Sequence, residues 1–384
     1  MAKRFGIVLG VAAAGVMALG ALLPATARAD DVIWSNESST NSIRAGNVLG
    51  GAASTLFDDG GRPCGIAADP AAGKVYWATW DGGEIRVGNL NGTGASTLFP
   101  ATGGHLCGVA VNAAAGKIYW ANFDTNEIRV GNLNGTGAST LFTDPGGSAP
   151  SGVAIDPANN KIYWTNQFTD EVRAGNLDGS GTAQTLFSGE DNPIGVAANP
   201  AAGKIYWTDL AAGTVRVGPL GGSTFGAAQT LFGGENSPSG PAIDPTTNKI
   251  YWTSFGGAIR VGPLGGSTAG AAQTLFSGES ASLFAALVKA PVNTGRPAIS
   301  GGAKAERELT CQNGTWAPDL LASFLFRAPT SFAYQWFVNG SPTPIATSPT
   351  FTATAAGNYT CTVTATNRGG STSQTSSVKQ VKVK

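Results

Sequence analysis

Six tryptophans fall in register along the chain, at Trp34, Trp77, Trp120, Trp164, Trp207 and Trp252, 43 to 45 residues apart. An arginine follows each at a nearly constant distance (Arg44, Arg86, Arg129, Arg173, Arg216, Arg260). A Leu-Phe pair then recurs, ending at Phe57, Phe99, Phe142, Phe187, Phe232 and Phe276. A unit of this size cannot bury its own apolar face and must stack on its neighbours. Self-similarity at this period therefore restricts the chain to a solenoid or a propeller.

Within one unit every segment reads as strand. Gly-Val-Ala-Ile (152–155) is a short apolar run, Lys-Ile-Tyr-Trp-Thr (161–165) is β-branched and aromatic, Glu-Val-Arg-Ala (171–174) alternates, and Ala-Gln-Thr-Leu-Phe (183–187) makes a fourth strand. The joints carry turn chemistry. After the first strand the chain reads DPAAGK, DPANNK, NPAAGK or DPTTNK, and the residue before the lysine is Gly73, Gly116, Asn160, Gly203 or Asn248. Gly and Asn tolerate the left-handed backbone a short hairpin needs. The third and fourth strands join through Asn91-Gly92, Asn134-Gly135 or Asp178-Gly179, again hairpin signals. The chain enters at Val32-Ile33-Trp34, a second strand, and its last unit ends in a first strand at 282–288. That strand can complete the opening blade and leave no unpaired edge. The expectation is an all-β chain with a six-bladed β-propeller over 30–290.

These repeats resemble the YWTD, or class B, repeats of low-density-lipoprotein receptors, which form a six-bladed propeller. Only Tyr206-Trp207-Thr208-Asp209 is a full motif; the others read IWSN, YWAT, YWAN, YWTN and YWTS. The resemblance implies that Asp209 helps lock neighbouring blades. It implies a weaker version at Asn36, Asn122 and Asn166, and none at Thr79 or Ser254.

From Ala290 the period stops, and prolines and small residues form a boundary. In 291–384, Cys311, Trp336 and Cys361 stand in the order of an immunoglobulin sandwich, whose core tryptophan packs on an inter-sheet disulfide. Tyr359, two residues before Cys361, holds the place of a tyrosine corner. The stretch resembles the bacterial Ig-like modules of exported surface proteins. Cys64 and Cys107 each precede the glycine of a first strand in consecutive units; a bridge and two buried small hydrophobes are both open readings.

Residues 1–29 read as a secretory signal peptide. Lys3 and Arg4 precede an apolar run from Phe5 to Leu23, and Ala27-Arg28-Ala29 fits cleavage before Asp30. No later stretch is long and apolar enough to span a membrane, so the chain is expected to be exported, either secreted or associated with the cell envelope. Residues 30–290 carry 13 basic and 21 acidic side chains, and no basic stripe of the kind a nucleic-acid binder needs is present.

The residues of a hydrolase or lyase do not converge. His105 is the only histidine and reads as a solvated loop residue; zinc-site spacing, a G-x-S-x-G elbow and a P-loop are missing. Asp69, Asp156, Asn199 and Asp244 sit in repeated turns and read as turn formers, and the repeated Lys and Arg as blade-surface partners. No metal site, cofactor or catalytic residue is assigned. The connections from second to third strand, and from blade to blade, vary from copy to copy and share one face. They gather Trp80, Asp81, Glu84, Phe123, Asp124, Glu127, Phe168, Asp170 and Glu171. Variable loops on a rigid scaffold suit recognition. The reading is an exported, non-catalytic recognition or scaffold protein that binds a protein or cell-envelope ligand, cationic in view of these acids. The competing reading is a lactonase-type propeller hydrolase or lyase with a calcium ion in the central channel. That chemistry needs inward carboxylates, whereas the inner strands (GIAA, GVAV, GVAI, GVAA) offer small apolar groups.

Overall fold

A computed structural model describes residues 30–37, 41–100 and 103–383. The expected signal peptide lies outside the described residues. Each repeat makes one antiparallel sheet in chain order. For the repeat of Trp164 the strands are Pro150–Asp156, Lys161–Asn166, Glu171–Asn176 and Gln184–Ser188. Equivalent four-stranded sheets span 63–99, 106–143, 193–233 and 238–277. The remaining sheet joins the two ends of the repeat region: Ser282–Val288 lies antiparallel to Asp31–Asn36, which continues into Ser42–Asn47 and Ser54–Asp58. The architecture is a β-propeller, and no α-helix occurs among the described residues. Each blade is named below by its tryptophan.

The repeated residues earn their positions at the seams between blades. The six tryptophans are fully buried. Each packs on the phenylalanine that ends the preceding blade, with ring centroids 4.8 to 5.4 Å apart. The glycine two residues after each arginine makes room for that phenylalanine. A Cβ on Gly218 would stand 2.3 Å from the tip of the Phe187 ring.

The arginines, expected on blade surfaces, instead close these seams. Glu190, arriving from the blade of Trp164, accepts from Trp207 Nε1 at 2.8 Å and from Arg216 at 2.6 Å. Glu235 does the same for Trp252 and Arg260, and Asp59 for Trp77 and Arg86; Asp144 accepts from Trp164 Nε1 and forms an ion pair with Arg173 at 3.2 Å. Glu279 takes Trp34 Nε1, Asn36 and Arg44, so the same latch fastens the two ends of the repeat region. The connection 100–105 carries no acid. Arg129 there turns to Glu127 of its own blade, and Trp120 Nε1 finds no acceptor among the described residues.

A second clasp lies nearer the axis. A register shift in the inner strand frees the Gly152 N–H, which donates to Thr165 Oγ1 at 2.9 Å; that hydroxyl donates to Ile194 O of the next blade at 2.6 Å. Thr253 reaches Leu283 O, and Ser35 reaches Cys64 O, in the same way. The blade of Trp77 has Ala78 at this position, and there Cys64 and Cys107 form a disulfide between the two inner strands, with Cα atoms 5.0 Å apart. Of the two open readings of this pair, the structure takes the bridge. It stands at a seam that lacks the hydroxyl.

The fourth motif position behaves less uniformly than the resemblance implies. Asn36 and Asn122 bond the preceding connection, through Glu279 and Gly103 O. Ser254, expected to make no link, donates to Asn236 O of that connection. Asn166 has no side-chain partner among the described residues, and Thr79 bonds only its own blade. Asp209 is buried beside Glu190, 3.7 Å from Arg216. Burial first, then the Glu190 charge, pushes its carboxyl up to about 7, against the pull of Arg216. A carboxyl that holds its proton more tightly when folded than when unfolded costs the fold stability as pH rises from about 4 toward 7. Asp209→Asn, the residue three other repeats carry, should remove this dependence and add about 2 kcal/mol at pH 8. Urea midpoints of parent and variant at pH 5 and pH 8 measure this; a parent midpoint that does not fall, or an equal loss in both proteins, refutes it.

Beyond 290 the chain forms a two-stranded sheet, from Asn293–Gly295 and Thr315–Trp316, and two larger ones. Ala298–Gly301, Arg307–Gln312 and Thr350–Ala353 make one; Ser331–Val338, Gly357–Asn367, Gly370–Thr375 and Lys379–Val381 make the other. Cys311 of the first is bonded to Cys361 of the second. Trp336 is buried between them, and the Tyr359 hydroxyl donates to Ala355 O at 2.8 Å. One segment leaves this body. Residues 318–326 enter the axis of the propeller from the face of the repeated turns. Leu325–Phe326 adds a parallel strand to Leu287–Val288, and Ser323 Oγ donates to Ala198 O at 2.7 Å. Ala322, Phe324, Leu325 and Phe326 are buried in the propeller core. The boundary expected after 290 is thus crossed by an apolar plug.

Candidate functional site

With one end of the axis plugged, the other end opens onto the variable connections. The residue directly after each four-residue motif points there: Glu37, Trp80, Phe123, Gln167, Leu210 and Phe255. One repeated bond positions them all. Each backbone N–H donates to a carbonyl just before or at the start of an inner strand, at 2.9 to 3.1 Å; Trp80 bonds Arg62 O and Phe123 bonds His105 O. Five of the six, with Arg62 and the inner-strand residues Cys64, Cys107, Ser151, Ile194 and Leu283, line a pit of about 150 Å3. The pit is shallow because inner strands touch backbone to backbone: a Cβ on Gly108 would lie 2.2 Å from Ser151 O.

From its rim an aromatic run crosses three blades. The Arg62 guanidinium lies 5.9 Å from the Trp80 ring centre. Trp80 stacks on His105 at 4.6 Å and meets Phe123 at 4.9 Å, and Phe123 meets Phe168 edge-on at 5.3 Å. Trp80 and Phe123 are half-buried, whereas Phe168 is 62% exposed. Such ring pairs hold their geometry without a ligand, so the surface is pre-formed.

The structure thus brings together three of the residues singled out on the variable loops, Trp80, Phe123 and Phe168. It adds Arg62 and His105, which the loop reading passed over. His105 is no isolated solvated side chain: Asp124 holds its Nδ1 at 2.9 Å and its backbone N–H at 3.1 Å. The signal for the rim was present in the sequence, three residues after every repeated tryptophan, and was hidden because the six side chains differ.

The acids do not share this surface as free charges. Asp81 pairs with Arg62 at 3.2 Å, and Asp170 accepts from the Asn192 N–H at 3.0 Å. Glu84, Glu127 and Glu171 lie on the blade flanks, where Thr97, Thr140 and Thr185 of the outer strands donate to them. Burial pushes the Glu127 carboxyl up, but hydrogen bonds from Thr140 and Thr125 and the Arg129 charge bring it below its ordinary range. The expectation of a cationic ligand rested on these acids, and their partners lie within the chain. Among the described residues no group of three or more His, Cys, Asp or Glu side chains is arranged to hold a metal ion.

No protein-family model matches the chain, and no curated protein does. Solved structures do. A chain of a nidogen/laminin complex, 18% identical, aligns over 67% of this chain and 98% of its own, with a TM-score of 0.59. TolB from Acinetobacter baumannii, 13% identical, aligns over 67% and 66%, with a TM-score of 0.54. A streptogramin B lyase, 13% identical, aligns over 66% and 84%, with a TM-score of 0.49. At such identities the first two likenesses establish the β-propeller fold and nothing finer.

Proposed function

We propose that the chain is a six-bladed propeller of the YWTD type over 30–290, followed by an Ig-like sandwich over 291–384. In this reading it is exported after cleavage near Ala29 and recognises a protein partner, without catalysis, through the face of the variable connections. The observation that carries this reading is the asymmetry of the two faces. One is covered near the axis by the plug, whereas the other presents a pre-formed aromatic run around a pit. Likeness to a chain of a nidogen/laminin complex supports a protein as the partner, and two disulfides support an oxidising compartment. Among the described residues no helix is long and apolar enough to cross a membrane.

The double change Trp80→Ala with Phe123→Ala tests the face. Aromatic anchors at an interface cost about 2 kcal/mol or more when truncated, roughly thirtyfold in affinity. The immobilised chain should retain a partner from an extract of envelope and secreted proteins, and the double variant should lose it while still unfolding in a single cooperative transition. Phe225→Ala, at an exposed hairpin tip on the opposite face, should retain it unchanged. Equal retention by both variants would refute the assignment.

A further inference from the structure

Between the plug and the turn-bearing face of the propeller lies a second cavity, of about 480 Å3. Pro157, Pro200 and Pro245, one from each of three successive blades, form one wall, and Pro318, Leu320 and Leu321 of the plug form the other. Two polar side chains in this apolar lining are incompletely used. Asn112 and Asn199, each 7% exposed, cap their own turns through Oδ1, which accepts from the Ala115 N–H at 3.2 Å and the Ala202 N–H at 3.3 Å. Neither Nδ2 has an acceptor among the described residues. Both amide nitrogens stay accessible, so a ligand oxygen in the cavity takes the place of water on them. Ligand sites of roughly 300–1,000 Å3 concentrate at such junctions between rigid units, apolar with a few fixed polar groups.

We propose that this cavity binds a neutral, mainly apolar small molecule whose carbonyl or hydroxyl oxygens accept from Asn112 and Asn199. The charge follows from the two carboxylates on the lining. Asp156 is held by Asn159 at 2.7 Å, and Asp319 by the N–H groups of Arg327 and Ala328 at 2.6 and 2.8 Å. Both repel an anion, and the proline and leucine walls disfavour burying a charge of either sign. The site is separate from the aromatic face, and its occupancy does not depend on the recognition reading.

Nile red, neutral and carbonyl-bearing, is a suitable probe for the chain from Asp30 onward. Saturable one-to-one binding with blue-shifted emission is expected. Ala158→Trp and Ala201→Trp, at exposed turn positions on the lining, should each fill the space and weaken binding tenfold or more. Asn199→Asp, which keeps the turn-capping oxygen and removes the amide donor, should weaken it several-fold with the melting temperature retained. Anilinonaphthalene sulfonate, apolar but anionic, should bind at least tenfold more weakly. Unsaturable binding, binding unchanged in both tryptophan variants, or equal affinity for the anionic dye would overturn the proposal.

Discussion

Alanine at Phe326 should destabilise the propeller, and not merely the C-terminal sheets, by about 3–5 kcal/mol. The ring is 1% exposed, and the backbone around it is tied in as well: Leu287 and Lys289 donate to Phe324 O and Phe326 O at 2.8 Å each. Further links lie alongside. Arg368 pairs with Asp31 at 3.1 Å, and Asn367 Nδ2 donates to Lys289 O at 2.8 Å. Calorimetry of the parent should therefore show one transition for both parts, moved down as a unit in Phe326→Ala. Two parental transitions, with the mutation moving only one of them, would show that the plug is an appendage.

Removing the carboxylate of Glu279 should loosen the propeller where its two ends meet. Glu279→Ala leaves Trp34 Nε1 and Asn36 Nδ2 without the acceptor they share at 3.3 and 2.8 Å, and Arg44 without its ion-pair partner at 2.9 Å. Truncating one side of a buried pair costs about 3–5 kcal/mol. Arg44 is about a quarter exposed and recovers part of that from water, so roughly 2–3 kcal/mol is expected. Opening the ladder between Asp31 and Val288 also bares strand edges, and aggregation on heating should accompany the loss. Glu127→Ala is the comparison, because Glu127 serves an arginine of its own blade and no tryptophan; it should cost below about 1 kcal/mol. Urea midpoints with light scattering distinguish the two. Equal losses would mean that the closing latch adds nothing special.

Most of the blade plan was legible because its determinants are local and repeated. Tryptophan, arginine, glycine and phenylalanine recur at fixed offsets, so one explanation serves every seam: ring on ring, with a glycine to admit it. The latch acids were harder to see. Asp59, Asp144, Glu190, Glu235 and Glu279 stand in connections of differing length and composition, and they serve the following blade, not their own. Loop variability therefore resembled a recognition signal at positions where the carboxylate closes a seam. The aromatic run was half legible. Trp80, Phe123 and Phe168 stood out as apolar residues outside the repeated core, but nothing local says that His105 and Arg62 fold over to meet them.

By itself the sequence left the Cys64–Cys107 bridge open and determined the period, the strands and the turn types. Each depends on short-range chemistry: alternation along a strand, left-handed turns at Gly or Asn, apolar side chains at a constant repeat. Only the tertiary structure decided which end of the axis is open. Residues 318–326 carry no period and pair with strands more than thirty residues away, so their burial depends on which surface they meet. The face they cover and the face they leave free are set by that one long-range contact, because an apolar segment gains stability only where a matching surface excludes water from it.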